Sequence, residues 1–238
     1  MSVHFEKGVS LKPVDLLSES FELLKPNIVM VAVAALIAAF LYNTVILAGA
    51  AICGMFYLIN KQFNTSKSEL GDLFRGFDFF VESLITGLIA MAAFTVVLLP
   101  ITGVYMIATF VVGDIAILMG LSSLVFITVI CIASIALYLV FTFPFILIME
   151  YKMKALDAIK LSFEAVKANL VPLLILMVLC LILSSVAALF CILPYFIAAP
   201  VCMGAFLLAY RQIFPARQSF DVVSQAAPVA PESSEGQS

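Results

Sequence analysis

The sequence predicts an all-α, polytopic integral membrane protein: six transmembrane helices with amphipathic interfacial helices and an internal parallel repeat. Three observations predict it. The chain is 64% hydrophobic and only 11% charged, with a mean hydropathy of +1.21, whereas a soluble domain carries about 45–50% apolar and about 25% charged residues. Its apolar runs are long and do not alternate, which argues for helices rather than a β-barrel. Finally, an amphipathic stretch at Ala155 to Val171 reproduces one at Pro13 to Val29, and each leads directly into apolar sequence of membrane length.

In chain order, residues 1–12 are a polar leader containing the one histidine, His4. From Pro13, the residues Val14, Leu17, Phe21, Leu24 and Ile28 fall at steps of 3, 4, 3 and 4, one face of a helix. Pro13 suits a first helical turn, and Pro26 breaks or kinks the helix before the apolar run. Residues 28–60 form a 33-residue run, long enough for two short spans with a turn near Tyr42-Asn43-Thr44. Residues 61–78 are polar, but Leu70, Leu73, Phe74 and Phe77 make another apolar face, so a further interfacial helix is expected there. Residues 79–149 form a 71-residue run holding only Glu82 and Asp114 as charges. This length implies long tilted helices or an apolar turn between Pro100 and Met119, with Asp114 in that turn. In the second amphipathic stretch, Leu156, Ile159, Phe163, Val166 and Leu170 repeat the 3, 4, 3, 4 spacing. The last apolar run ends at Tyr210. The tail 214–238, rich in Pro, Ser, Ala and Gln, is expected to be disordered, and to be cytoplasmic.

Residues 13–29 align without gaps on 155–171. Asp15, Ser20, Phe21, Glu22, Lys25, Asn27 and Val29 match Asp157, Ser162, Phe163, Glu164, Lys167, Asn169 and Val171, seven identities in 17 positions. Gly54, Phe56, Leu58, Lys61 and Gln62 then match Gly204, Phe206, Leu208, Arg211 and Gln212 after eight extra residues. Two repeat units follow, about 13–62 and 155–212, with a middle hairpin at about 79–149 and a six-span membrane domain over 13–213.

The twelve Lys and Arg residues fall in four places: three in 1–26, three in 61–78, four in 150–169 and two after Tyr210. If each apolar run crosses twice, all four lie on one side, and the positive-inside rule makes that side cytoplasmic, both termini included. The first 26 residues hold eight charged or titratable side chains and no apolar core, so no cleavable signal peptide is expected.

Chemistry-bearing patterns are sparse. Neither HExxH, GxSxG, a Walker loop nor GxGxxG is present, and no acid/base or nucleophile pair can be assembled. The five cysteines all sit in apolar runs without metal spacing and read as small hydrophobes. The expectation is a protein without catalytic residues, cofactor or metal. A net charge of −3 gives no reason for a nucleic-acid partner. Lys25 and Lys167, at equivalent repeat positions, are candidates for contact with lipid headgroups, or they simply snorkel. Asn27 and Asn169 are candidates to cap the spanning helices. Asp114 is a candidate ion or solute contact, against the plainer reading of an exposed turn residue. Gly49, Gly54 and Gly204 are candidates for close helix approach.

The segment Ala158 to Leu170, after the apolar Phe143-Pro144-Phe145, resembles a bacterial pattern: an apolar span with proline, then Ala, Ser, Lys-Gly-Asn and an aromatic. Ala168 stands in the place of that glycine and Leu170 in that of the aromatic. The pattern is similar to the YciC-type inner-membrane proteins and to the membrane domain of some glycerophosphoryl diester phosphodiesterases. The resemblance implies a multi-span protein of the bacterial cytoplasmic membrane and supplies no catalytic residues. The expected function is non-enzymatic packing with lipid or envelope components, with a homo-oligomer or other membrane proteins as candidate partners. The alternative is a small transporter or channel subunit, which should enclose polar groups at mid-membrane.

Overall fold

The computed structural model describes residues 5–112, 116–190 and 192–214. Every regular element among them is helical, and six helical stretches are long and apolar enough to cross a membrane. Helix α1 (Pro13–Leu24) passes through a short 3-10 turn, Lys25–Asn27, into α2 (Ile28–Tyr42); α3 (Val45–Thr65) returns. The break thus falls at Asn43-Thr44, where the sequence placed it. A ten-residue 3-10 helix, Leu70–Phe79, leads into α4 (Phe80–Val112) and α5 (Ala116–Tyr151). Then come α6 (Ala155–Ala168), α7 (Leu170–Phe190) and α8 (Ile192–Ile213). Pro100 does not form the middle turn; it lies inside α4, which runs to Val112, and α5 begins at Ala116.

The packing contains three units where the sequence showed two. Each unit is an interfacial helix followed by a hairpin: α1 with α2–α3, the Leu70–Phe79 helix with α4–α5, and α6 with α7–α8. Each interfacial helix lies on the second span of the preceding unit: α1 on α8, the 3-10 helix on α3, and α6 on α5. Each first span likewise touches the preceding second span: α2 on α8, α4 on α3 and, most slightly, α7 on α5. The second spans α3, α5 and α8 touch one another in the middle. The order is cyclic, so the last unit closes onto the first.

The three landings have a common physical basis. An added Cβ at Gly54 would collide with the Leu73 carbonyl, and one at Gly204 with Ser20 Oγ and the Phe63 ring. On α5 the equivalent device is Pro144, inside the helix. Its missing N–H frees the carbonyl of Val140 four residues earlier, and Ser162 Oγ donates to that carbonyl at 2.6 Å. Ser20 Oγ, at the matching position in α1, donates to the Val201 carbonyl at 2.8 Å. Gly49 is similarly pressed against the Ser83 carbonyl, so all three glycines singled out in the sequence sit at close helix approaches.

Helix α6 packs mainly through small side chains, α1 through two leucines and a serine. In α6 the buried residues are Ala155, Ala158, Ser162, Ala165 and Val166; Leu156 and Phe163 of the large apolar stripe are exposed. In α1, Leu16, Ser20 and Leu24 are buried, while Val14 and Phe21 face outward. Small residues let α6 approach α5 closely, which leaves Leu156 and Phe163 for the surroundings.

The middle hairpin is the outlier. At 33 and 36 residues, α4 and α5 extend about 50 Å at 1.5 Å per residue. Between Gly87 and Tyr138 no described side chain is buried. That portion is an apolar arm, joined to the core at its base through Ile135 and stapled by the Tyr105 ring stacked on Phe126 at 4.0 Å and by a Tyr105–Ser123 hydrogen bond of 3.0 Å.

Candidate functional site: the polar collar

The polar side chains converge at one end of the helices. Glu6 N–H donates to the Ile213 carbonyl (2.9 Å), and the Phe5 and Phe214 rings meet at 6.1 Å. Val9 N–H donates to Asn169 Oδ1 (3.0 Å). Asn27 Nδ2 reaches Gln62 Oε1 (3.0 Å) and the Ser66 carbonyl (3.2 Å). Arg211 Nη2 donates to Asn60 (2.6 Å) and Asn64 (2.8 Å), and Tyr210 OH to Glu150 (2.9 Å). These bonds tie the leader, the 61–78 segment, the 150–169 segment and the end of α8 to one another. The four basic places therefore share one end, and each apolar run goes out and returns.

Two carboxylates hold helix starts. Glu82 Oε2, on α4, accepts the Ala155 N–H at the first turn of α6 (2.8 Å), a position where the helix dipole favours negative charge. Asp72 accepts the Glu69 N–H (2.8 Å), while Glu69 caps in return, a reciprocal box opening the 3-10 helix. Lys61 Nζ donates to both Asp72 oxygens at 2.8 Å, with the Asp72 side chain 6% exposed and that of Lys61 36%.

The candidate residues divide. Asn27 and Asn169 have nearly the same backbone, φ −124° with ψ 30° and 32°, and both mark the kink between interfacial helix and span. Asn27 occupies the N-cap position of α2, yet its side chain makes no capping hydrogen bond; it ties α2 to the end of α3. Asn169 ends α6, and its amide holds the leader through Val9 N–H and the Glu6 carbonyl (3.1 Å) and also reaches back to the Ala165 carbonyl (3.2 Å). For Asn27 capping is thus replaced by tertiary bonding, because the end of α3 lies within reach of its amide. Lys25 is exposed and bonded to Glu22 at 3.3 Å; Lys167 is also exposed. The two lysines lie on the same collar; Asp114, with His4, Cys191 and the tail 215–238, falls outside the described residues.

The best-formed concavities among the described residues are open grooves on this collar. One, of about 530 Å³, is lined by residues 25–30, Val33 and Leu70. The other, of about 240 Å³, runs along α6 past Met153, Asp157, Lys160, Leu161 and Glu164. Deeper in, the second spans are filled with packed side chains, Phe143, Ile146, Leu147, Ala205, Phe206 and Leu207 among them. Cys53 Sγ contacts the Phe145 carbonyl at 3.7 Å. Thr86, Thr95 and Thr128 each donate to a carbonyl of their own helix. Among the described residues no group of His, Cys, Asp and Glu could hold a metal ion.

The sequence missed the third unit because the segment Leu70–Phe79 shares no run of identities with the other two. Its usable signal was the pair Gly71 and Gly76 beside an apolar face; an added Cβ at Gly76 would collide with the Ala50 carbonyl and Gly54. No family model matches the chain, and no curated protein or solved structure does so either.

Proposed function

We propose that this chain is a non-enzymatic protein of a bacterial cytoplasmic membrane, related to the YciC-type proteins, that packs with membrane lipid and envelope components through its collar. One observation carries the reading. The interfacial helices present bulky apolar side chains, Val14, Phe21, Phe74, Phe77, Leu156 and Phe163, outward, with Lys25, Lys160 and Lys167 exposed on the same helices or at their ends. An amphipathic helix of this kind buries its apolar face at the headgroup boundary and gains from anionic lipid through its lysines. The packed second spans favour this reading over a solute path. Both termini belong in the cytoplasm, because the collar carries the basic residues.

The test is reconstitution into phosphatidylcholine vesicles containing increasing phosphatidylglycerol. The melting temperature should rise with the anionic fraction, and replacing Lys25, Lys160 and Lys167 by Gln should flatten that rise. A wild-type protein indifferent to lipid charge rejects the reading. For orientation, a cysteine at Lys67 should resist an impermeant thiol reagent in intact cells and react after permeabilisation.

A further inference from the structure

Two of the five cysteines meet across the last hairpin. Cys202 Sγ, on α8, lies 3.8 Å from the Cys180 carbonyl of α7, and the two thiols are hydrogen-bonded to each other. Ser184, one turn along α7, places its Oγ 3.8 Å from Cys202 Sγ. Each cysteine stands at the midpoint of its span, one in a helix of 21 residues and the other in a helix of 22. Cys53 sits elsewhere, against the Phe145 carbonyl, and Cys131 is exposed on the arm.

Depth limits what the pair can do. A thiolate, or a monovalent cation held by two of them, would leave net charge at mid-membrane, where charge is costly. A zinc ion takes four ligands. A disulfide is neutral. Its sulfurs stand about 2.05 Å apart, and α7 already packs on α8, so closing it asks for side-chain rotation rather than a new fold.

The cover over the pair is thin. Cys180 and Cys202 are buried, but Leu181 and Leu183 beside them face outward. Tyr138 of α5 is within electrostatic reach of both thiols and is itself exposed. The pair therefore lies at the seam where α7 touches α5 most slightly, one layer from the surrounding lipid.

We propose that Cys180 and Cys202 form a dithiol–disulfide couple inside the membrane, oxidised by a lipid-soluble quinone. Two S–H bonds break and one S–S bond forms. The quinone takes both electrons and both protons and leaves as the quinol, so reactants and products are all neutral. The bond staples α7 to α8, the helix against which α7 packs most. This couple is independent of the collar reading.

The test uses the full chain in lipid vesicles, first reduced, then treated with decylubiquinone, denatured and alkylated with N-ethylmaleimide. Intact mass should show two fewer alkylated thiols than the five of the reduced chain. Peptide mapping should join Cys180 to Cys202. The melting temperature of the oxidised protein should rise, and dithiothreitol should reverse it. Cys180→Ser and Cys202→Ser should each keep all their remaining thiols open to alkylation, whereas Cys53→Ser and Cys131→Ser should still lose two. Five alkylated thiols after quinone treatment, a bond mapped to Cys191, or an undiminished loss in Cys180→Ser overturns the couple. A bond that forms without raising the melting temperature overturns its role as a staple.

Discussion

Ser162 donates its hydroxyl to the one carbonyl of α5 that Pro144 leaves without a helical partner, that of Val140, at 2.6 Å. The interfacial helix α6 thereby repairs a break in the span it rests on. Ser20, its repeat equivalent, makes a bond of similar length to Val201, but that carbonyl lies within regular helix and has the Ala205 N–H available.

The two serines should therefore differ in energetic weight. Ser162→Ala leaves a part-buried carbonyl unpaired and should destabilise the fold by about 1–3 kcal/mol, the cost of an unsatisfied polar group shielded from water. Ser20→Ala should cost about 0.5–1.5 kcal/mol, the net worth of an ordinary hydrogen bond. Thermal unfolding in detergent, followed by circular dichroism, compares them; equal losses would mean that Pro144 plays no part.

Glycines should divide by what their missing Cβ would meet. Gly54→Ala drives a methyl into the Leu73 carbonyl and should cost about 1–3 kcal/mol, as overpacking does. Gly87, in the exposed arm, has nothing within 4 Å of an added Cβ. Gly87→Ala should be neutral or stabilising by up to about 1 kcal/mol, because glycine is a poor helix former. The same unfolding measurement reads both variants.

Lys61→Met removes the cation from a nearly buried Asp72. Because the Lys61 side chain is partly exposed, solvent screens the pair, and the variant should lose a modest but measurable part of its stability. The loss should be present at neutral pH and shrink as pH falls through the carboxylate range, since a protonated Asp72 needs no counter-charge. Unfolding profiles between pH 7 and about pH 4 test the sign: a deficit that grows on acidification contradicts the role given to Lys61.

Asn169→Ala should free the leader. The Val9 amide donates to the Asn169 side chain, so its hydrogen exchange should approach that of an open chain in the variant, while α7 and α8 keep their protection. Unchanged protection at Val9 would show that the leader is held by other contacts.

Composition, hydropathy and the distribution of lysines were enough to determine the helical class, six spans, the hairpin break at Asn43-Thr44 and the gathering of basic segments at one end. These follow from free energies that each residue carries alone: apolar side chains leave water, and charged ones resist crossing. The repeat also exposed the equivalence of Ser20 with Ser162 and of Asn27 with Asn169. Tertiary structure decided the rest. It added the third unit, because the Leu70–Phe79 helix resembles α1 and α6 in its seat on a preceding span rather than in residue identity. It turned the small face of α6 inward, since close packing on α5 depends on the shape of the partner and not on the hydrophobicity of the stripe. It also gave the two repeat-equivalent asparagines different partners, the end of α3 for Asn27 and the leader for Asn169, a distinction that depends on which distant segment happens to fill the adjoining space.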